Sequence, residues 1–300
     1  MKNLILTAFI LTLAISAFSQ YRTDVGVYFG GANYLGEIGG KEQTRRNFIL
    51  DMKIKETKTS FGAFFRHRFN DSYGVTASLT NATIAGDDKN TTNLARKERN
   101  LSFKNNIIEL SGRGEYYFYS INDVGNHGRY WVNFRPYIFA GLGVFHHNPK
   151  TLHNGEWVKL RPLKTEGQQK KYSPINVSIP AGVGFYFTYK NRYRLSVEMA
   201  YRKTFTDYLD DVSSKYASNE VLESELAQDL SNRNDELNSE NTQIDAENYL
   251  PGNKRGDETN KDSFLTGQVG ISYVLRGPWH VEVKSRGDFV PKMRIYRAKF

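Results

Sequence analysis

The sequence predicts an all-β fold, an eight-stranded antiparallel transmembrane β-barrel, on three observations. Between Trp131 and Val144 apolar residues alternate with polar or small ones: Val132, Phe134, Pro136, Ile138, Ala140, Leu142 and Val144 are separated by Asn133, Arg135, Tyr137, Gly141 and Gly143. Successive strand side chains point to opposite faces, so one face of this segment is apolar and the other is not. The pattern recurs about eight times, and the connections between repeats alternate short and long. Apart from the extreme N-terminus, no window approaches the roughly 20 consecutive apolar residues of a spanning helix, so strands would have to cross a membrane.

Residues 1–19 read as a secretory signal peptide. Lys2 precedes a mainly apolar run from Leu4 to Phe18, and Ala17 and Ser19 supply small residues before Gln20. The barrel is expected to occupy residues 20–276, in the outer membrane. With no cysteine in the chain, disulfides, thiolate metal sites, a cysteine nucleophile and a lipoprotein anchor are excluded. Aromatic residues make up 14% of the chain, with 19 Tyr, 19 Phe and 25 Gly beside only 39% hydrophobic residues. Two-faced strands with aromatic girdles produce that mixture. A soluble sandwich shares it, with shorter strands and fewer aromatics at their ends.

The expected strands are residues 23–30, 60–69, 73–84, 103–119, 131–145, 175–189, 192–203 and 264–275. Residues 70–72 and 190–191 are tight turns and 121–130 a medium one, whereas 31–59, 85–102, 146–174 and 204–263 are long. Short periplasmic turns opposite long extracellular loops are the usual asymmetry. With both ends on the periplasmic side, the last strand closes the sheet and removes its edge.

Parity assigns the faces. In the seventh strand Tyr193, Leu195, Val197, Met199 and Tyr201 face lipid and Arg194, Ser196, Glu198 and Arg202 face inward. In the fourth, Ile108, Leu110, Gly112, Tyr116 and Phe118 face out and Glu109, Ser111, Arg113 and Glu115 face in. Arg66, Glu109, Arg113, Glu115, Arg135, Arg194, Glu198 and Arg202 are therefore expected to form an interior charge network, since an unpaired buried charge is expensive. An ion path is the other reading of these residues. Eight strands enclose a space just wide enough for side chains to fill, which favours a plug.

No phosphate-binding loop, nucleophile elbow or HExxH helix is present, and no cofactor, metal or catalytic residue is expected. His146 and His147, with His153 nearby, are the best metal candidates, but adjacent strand residues point apart. A rim hydrolase using His147 with Asp207, Asp210 and Asp211 would need hydrogen-bond geometry that sequence cannot supply.

The net charge of +9 conceals a division: residues 204–263 carry 15 Asp or Glu against 5 Lys or Arg. The remainder is strongly basic, yet no recognition motif accompanies it, so nucleic acid is not an expected partner. The acidic segment is expected to be a long, mostly solvated outer loop with a short amphipathic helix over 219–230, where Val221, Leu222, Leu226 and Leu230 recur at helical spacing. A docking element is its other reading. Residues 277–300 form a basic, aromatic tail on the periplasmic side, expected to bind a partner through Trp279, Lys284, Arg286, Phe289, Lys292, Arg294, Tyr296, Arg297, Lys299 and Phe300.

Two segments carry a family resemblance. Gly30-Gly31-Ala32-Asn33-Tyr34-Leu35-Gly36-Glu37-Ile38 follows the first expected strand, and Thr204-Phe205-Thr206-Asp207-Tyr208-Leu209-Asp210-Asp211-Val212-Ser213 follows the seventh. Together they resemble the signatures of the PorG-like outer-membrane barrels of Bacteroidetes, with Gly31, Asn33, Tyr34, Gly36, Asp207, Tyr208, Asp210 and Asp211 at the motif positions. The long acidic insertion after Ser213 departs from that pattern. The resemblance implies a non-enzymatic component of the type IX secretion system, holding a periplasmic ring of a lipoprotein and its partner protein at the outer membrane. Physically, Gly30, Gly31 and Gly36 suit a tight exit from the first strand, Asn33 and Tyr34 a rim turn, and the three aspartates a capped rim. A narrow porin is the second reading of the chain and the rim hydrolase the third; outer-membrane lipid is a partner in all three, and no small-molecule substrate is expected.

Overall fold

The computed structural model describes residues 22–38, 54–122, 124, 132–237 and 246–275. The expected signal peptide and the basic tail lie outside the described residues. All eight expected strands form: β1 Thr23–Leu35, β2 Lys58–Arg68, β3 Tyr73–Asp87, β4 Ser102–Tyr116, β5 Val132–His146, β8 Ile175–Tyr189, β9 Tyr193–Thr204 and β10 Ser263–Leu275. Each pairs antiparallel with its sequence neighbours, β5 running beside β8, and β1 pairs with β10 from Thr23–Leu275 to Leu35–Ser263. Because β3 also pairs with β4, the sheet closes on itself and leaves no edge among these eight strands.

The inner turns are built from local chemistry. In the β2–β3 turn the Asn70 side-chain oxygen accepts from the backbone N–H groups of Ser72 (2.8 Å) and Tyr73 (2.7 Å), an Asx-type turn. Between β8 and β9, Lys190 and Asn191 take positive φ (49° and 53°), the left-handed pair that matches strand twist.

Alternation sorts the side chains as parity requires. Val27, Phe29, Leu79, Leu110, Leu142, Val183 and Ile271 are exposed on the outer face, Phe29 at 66% and Leu142 at 65%. Toward the inner turns, Tyr73 lies beside Tyr116 (5.3 Å) and Tyr193 beside Tyr273 (5.6 Å), a girdle at one boundary of the apolar band. Gly184 has no side chain because Tyr137 fills its space: a Cβ there would stand 2.7 Å from the tyrosine ring.

Four expectations are corrected. First, β1 does not end at Gly30. Its ladder to β10 continues through Leu35, so Gly30, Gly31, Asn33 and Tyr34 belong to the strand and only Gly36 lies past its end. Second, β4 stops at Tyr116, leaving Phe118 outside the strand although still exposed. Third, the loop after β5 contains a hairpin, β6 Lys150–His153 and β7 Glu156–Lys159. Asn154-Gly155, with φ of 49° and 85°, makes its turn, and Asn-Gly between strands is the strongest short-range hairpin signal a sequence offers.

Fourth, the acidic loop is not mostly solvated. Leu209, Val212 and Leu230 are 0–1% exposed and pack with Tyr34, Ile84, Ile107, Phe145 and Phe264 in a hydrophobic core at the outer end of the barrel. Two short helices belong to this cap, α1 Leu94–Arg99 before β4 and α2 Glu225–Ser231 after β9. The expected helix over 219–230 starts later, at Glu225, because Ser224 supplies its N-cap, its side chain accepting from the Ala227 N–H.

Candidate functional site

The lumen is the first candidate. Arg66, fully buried, stands at its centre: its guanidinium lies 3.1 Å from Glu115 and Glu198 and 3.7 Å from Asp24, and it donates to the Tyr137 hydroxyl at 2.9 Å. Arg113 reaches Glu198 at 2.6 Å, and Glu198 also accepts from Tyr28 at 2.8 Å. Toward the inner turns Arg194 pairs with Asp24, which accepts from Ser272 at 2.7 Å. Toward the cap Arg202 pairs with Glu109 at 2.6 Å.

Four arginines thus face four carboxylates, while a fifth buried arginine, Arg68, has no carboxylate partner among the described residues and donates to the Tyr186 hydroxyl at 3.4 Å. Thr76 and Tyr117 donate to Glu115 and Ser178 donates to Glu109, so the carboxylates have donors beyond the arginines. A carboxylate supplied with several donors meets the condition for burying charge. Seven of the eight residues named for this network sit in it. Arg135 does not: its side chain lies 3.4 Å from exposed Asp71 in the β2–β3 turn, at the inner mouth. Asp24, Tyr28 and Tyr137 were not named, although alternation from Val25 and Val27 places Asp24 and Tyr28 on the inward face. Purified protein in planar bilayers is expected to pass no steady ion current, and a steady current would contradict a filled lumen.

The second candidate is the cap. Arg99 in α1 holds Asp88 at 2.8 Å while donating to the backbone carbonyls of Arg255 (2.8 Å) and Glu37 (3.3 Å). Arg255 donates to Glu166 (3.0 Å) and to the carbonyls of Asp211 (2.7 Å) and Ser231 (3.1 Å). Two buried guanidiniums therefore fasten all four long loops together. Fixed donor forks of this kind suit several acceptors at once.

Beneath them the two motif segments meet. The Tyr34 hydroxyl lies 2.6 Å from Asp210 and 2.7 Å from Asp262. One hydroxyl has one proton to donate, so two carboxylates this close to it are compatible only if one carries a proton itself. Burial raises both Asp210 and Asp262 from the usual carboxylate range. Burial likewise pushes Glu37 up to about 8, helped by Asp210, and Asp207 and Asp211 up to about 7. Asp207 accepts from Ser213 (2.8 Å), and Asp211, at a positive φ of 71°, accepts from Thr165 (2.5 Å) and Tyr172 (2.7 Å). Asp211 thus joins two loops and Asp210 ties the loop to β1, while Asp207 bonds within its own loop.

Of the remaining motif residues, Asn33 donates to Thr57 at 3.0 Å and the Tyr208 ring stacks on Tyr172 at 4.5 Å. Gly31 sits where a Cβ would meet the Thr57 methyl at 2.6 Å, and Gly36 where it would strike the Tyr34 hydroxyl. His147 is buried, its Nε2 lies 3.2 Å from the Ser173 carbonyl and 2.9 Å from the Asn176 amide, one of which it can satisfy at a time, and its ring stacks on Tyr172. Burial lowers it to about 4. Tyr172 stands between His147 and Asp211, stacking on the one and donating to the other, and no hydrogen bond joins His147 to Asp207, Asp210 or Asp211 among the described residues. Among the described residues no group of three or more His, Asp or Glu is arranged to hold a metal.

A closed eight-stranded barrel with an apolar outer face, an aromatic girdle and short turns opposite long loops defines the class: an outer-membrane-type β-barrel. The chain belongs to the family described as a domain of unknown function, DUF6089, which matches residues 2–235. Comparison with curated proteins found no match. Among solved structures, the attachment invasion locus protein Ail of Yersinia pestis is 10% identical, with 85% of this chain and 99% of that one covered and a TM-score of 0.35. The N-terminal barrel domain of OprF of Pseudomonas aeruginosa is 9% identical over 84% and 97%, TM-score 0.32. CarO of Acinetobacter baumannii is 10% identical over 83% and 97%, TM-score 0.28.

Proposed function

We propose that this protein is a non-enzymatic barrel that serves in the outer membrane as an anchor, not a conduit. The observation that carries the reading is the filled lumen, in which Arg66, Arg113, Arg194 and Arg202 are ion-paired with Asp24, Glu109, Glu115 and Glu198 and Arg68 donates to Tyr186. A barrel filled along its length acts through what it holds at its two ends.

The finer reading is a component of the type IX secretion system that positions a periplasmic, lipoprotein-containing ring. Its support is the PorG-like pair of motifs, which converge in space through the bond between Tyr34 and Asp210. The contact surface in this proposal is the basic tail, residues 277–300, where arginine and aromatic side chains are of the kind enriched at protein interfaces. Deleting 277–300 is expected to leave the barrel inserted and heat-modifiable on gels while sharply reducing recovery of the ring proteins by affinity pull-down. Full recovery by the truncated barrel would sink the assignment of the contact to the tail. Failure of the intact protein to recover them would sink the secretion reading itself.

A further inference from the structure

β5 pairs with β4 only as far as His146–Ile108, and on the stretch of β4 above that point the hairpin β6–β7 takes its place through the pair Lys104–Lys150. Alternation gives the hairpin two faces. Thr151 is buried and Val158 packs against the core of the cap, which turns Lys150, Leu152, Trp157 and Lys159 to the other side. That side carries Lys104 and, lower on β4, the lipid-facing Ile108 and Leu110. Leu152 and Trp157 stand directly opposite each other on it, 44% and 53% exposed.

Lysines cross this face in register. Lys104 is opposite Lys150 and Lys150 is opposite Lys159, positions at which Cβ atoms stand about 5 Å apart and like charges destabilise a sheet. Among the described residues the lysine ion pairs are those of Lys164 and Lys254, so none of these three has a carboxylate. Asp87, on the same side of β3, accepts from the Lys89 N–H, and Asp229 lies 4.0 Å from His153 on the other face of the hairpin. Lys104 sits 5.3 Å from the centre of the Trp157 ring. Lysine guards exposed sheet edges, which accounts for Lys159 on β7. It does not account for Lys104, which is paired on both sides, with Ala85 and with Lys150.

Height indicates the occupant. Lys104 is four residues above Ile108, about 14 Å along the strand and about 10 Å along the membrane normal for a strand tilted by roughly 40°. That places the lysine row at the level of lipid headgroups, where the indole ring, part apolar and part polar, is also at home. We propose that this face binds the phosphorylated sugar headgroup of a lipid in the outer leaflet. The three ammonium groups take its phosphate, Trp157 and Leu152 lie against the sugar, and the acyl chains run down over Ile108 and Leu110. Two features favour a lipid over a free anion: the row is continuous with the apolar outer face, and it is flanked by apolar side chains for which phosphate alone has no use. The inference rests on the placement of the barrel in the outer membrane, and it stands whether or not the opposite end holds a secretion ring.

The test is lipid titration of the full-length protein in dodecyl maltoside micelles, read by native mass spectrometry. Diphosphoryl lipid A is compared with phosphatidylcholine and with inorganic phosphate. Lipid A is expected to bind saturably and at least tenfold more tightly than phosphatidylcholine, and a tenfold excess of inorganic phosphate is expected not to displace it. The Lys104→Gln, Lys150→Gln, Lys159→Gln triple variant is expected to lose tenfold or more in affinity and Trp157→Ala at least threefold, both keeping a heat-modifiable barrel. The charge control converts Lys170, Lys171 and Lys215, exposed lysines elsewhere in the outer loops, to glutamine and is expected to bind as the parent does. Absence of saturable lipid A binding, undiminished binding by the first triple variant, or an equal loss in the control would each overturn the proposal. So would displacement by inorganic phosphate, the mark of a free-anion site, or phosphatidylcholine binding as tightly as lipid A.

Discussion

Replacing Arg66 with methionine is expected to destabilise the barrel by about 3–5 kcal/mol, the usual result of removing one partner of a buried ion pair. Arg66 touches three carboxylates, but they do not depend on it equally. Asp24 retains Arg194, and Glu198 retains Arg113 at 2.6 Å. Glu115 is left with Arg113 at 3.7 Å and the hydroxyls of Thr76 and Tyr117, so most of the uncompensated charge falls there. Methionine also gives up the guanidinium's position over the rings of Phe64, Tyr137 and Tyr186, at 5.1–5.3 Å. Urea titrations of protein folded in lipid vesicles, followed by heat-modifiable gel mobility, measure the loss. Adding Glu115→Gln to Arg66→Met is expected to restore a substantial part of it, because the isosteric amide removes the unpaired charge. A single variant within about 1 kcal/mol of the parent would show that the network does not hold the lumen.

The barrel and its interior were legible because a membrane imposes a rule that acts residue by residue. Lipid on one face and side chains packed in the lumen on the other enforce period two, so Leu195 and Val197 declare the outside and Arg194 and Glu198 the inside without knowledge of any partner. Parity gives the face but not the depth. Arg135 shares its face with Tyr137, yet it sits low enough on β5 to reach Asp71 instead of Glu198.

The cap obeys no such period. Its fastening bonds join residues far apart in sequence, as where Arg99 meets the Arg255 carbonyl, and nothing local marks either end as a partner. Acidic composition suggested solvation for residues 204–263, but Arg255 pairs with Glu166 and bonds the Asp211 carbonyl, and Leu209 and Val212, which no helical or strand spacing outlines, join Leu230 in a core. One loop signal was available: Asn154-Gly155 announces the β6–β7 hairpin by turn chemistry alone.

Raising the pH from about 5 to about 9 is expected to open the cap while leaving the strands in place. Burial is the largest cause of the raised values at Glu37, about 8, and at Asp207 and Asp211, about 7. Released into solvent, the same groups return to about 4. Between these limits the closed cap binds more protons than the open one, so the stability of the closed form falls as pH rises. Its contribution is complete below about pH 4, declines through neutrality and is gone above the raised values.

Each group faces identified neighbours. Arg99 opposes the rise at Glu37; Ser213 and Lys261 oppose it at Asp207; Arg255, Thr165 and Tyr172 oppose it at Asp211, while Asp210 and Glu166 add to it from across the cluster. For Asp211 alone the span from 3.8 to about 7 corresponds to something on the order of 4 kcal/mol. The amides of Leu209 and Val212 report the event directly, since they donate at 3.0 Å to Asp262 and Asp210. Their hydrogen exchange, corrected for intrinsic rates, is expected to accelerate far more between pH 5 and 9 than that of strand amides such as Val197. Asp262→Asn removes a buried carboxyl that faces Asp210 and Asp207 and gains charge as pH rises, and should flatten the dependence. Protection at Leu209 and Val212 that stays level or grows with pH would show that these carboxyl groups are ionised in the closed cap after all.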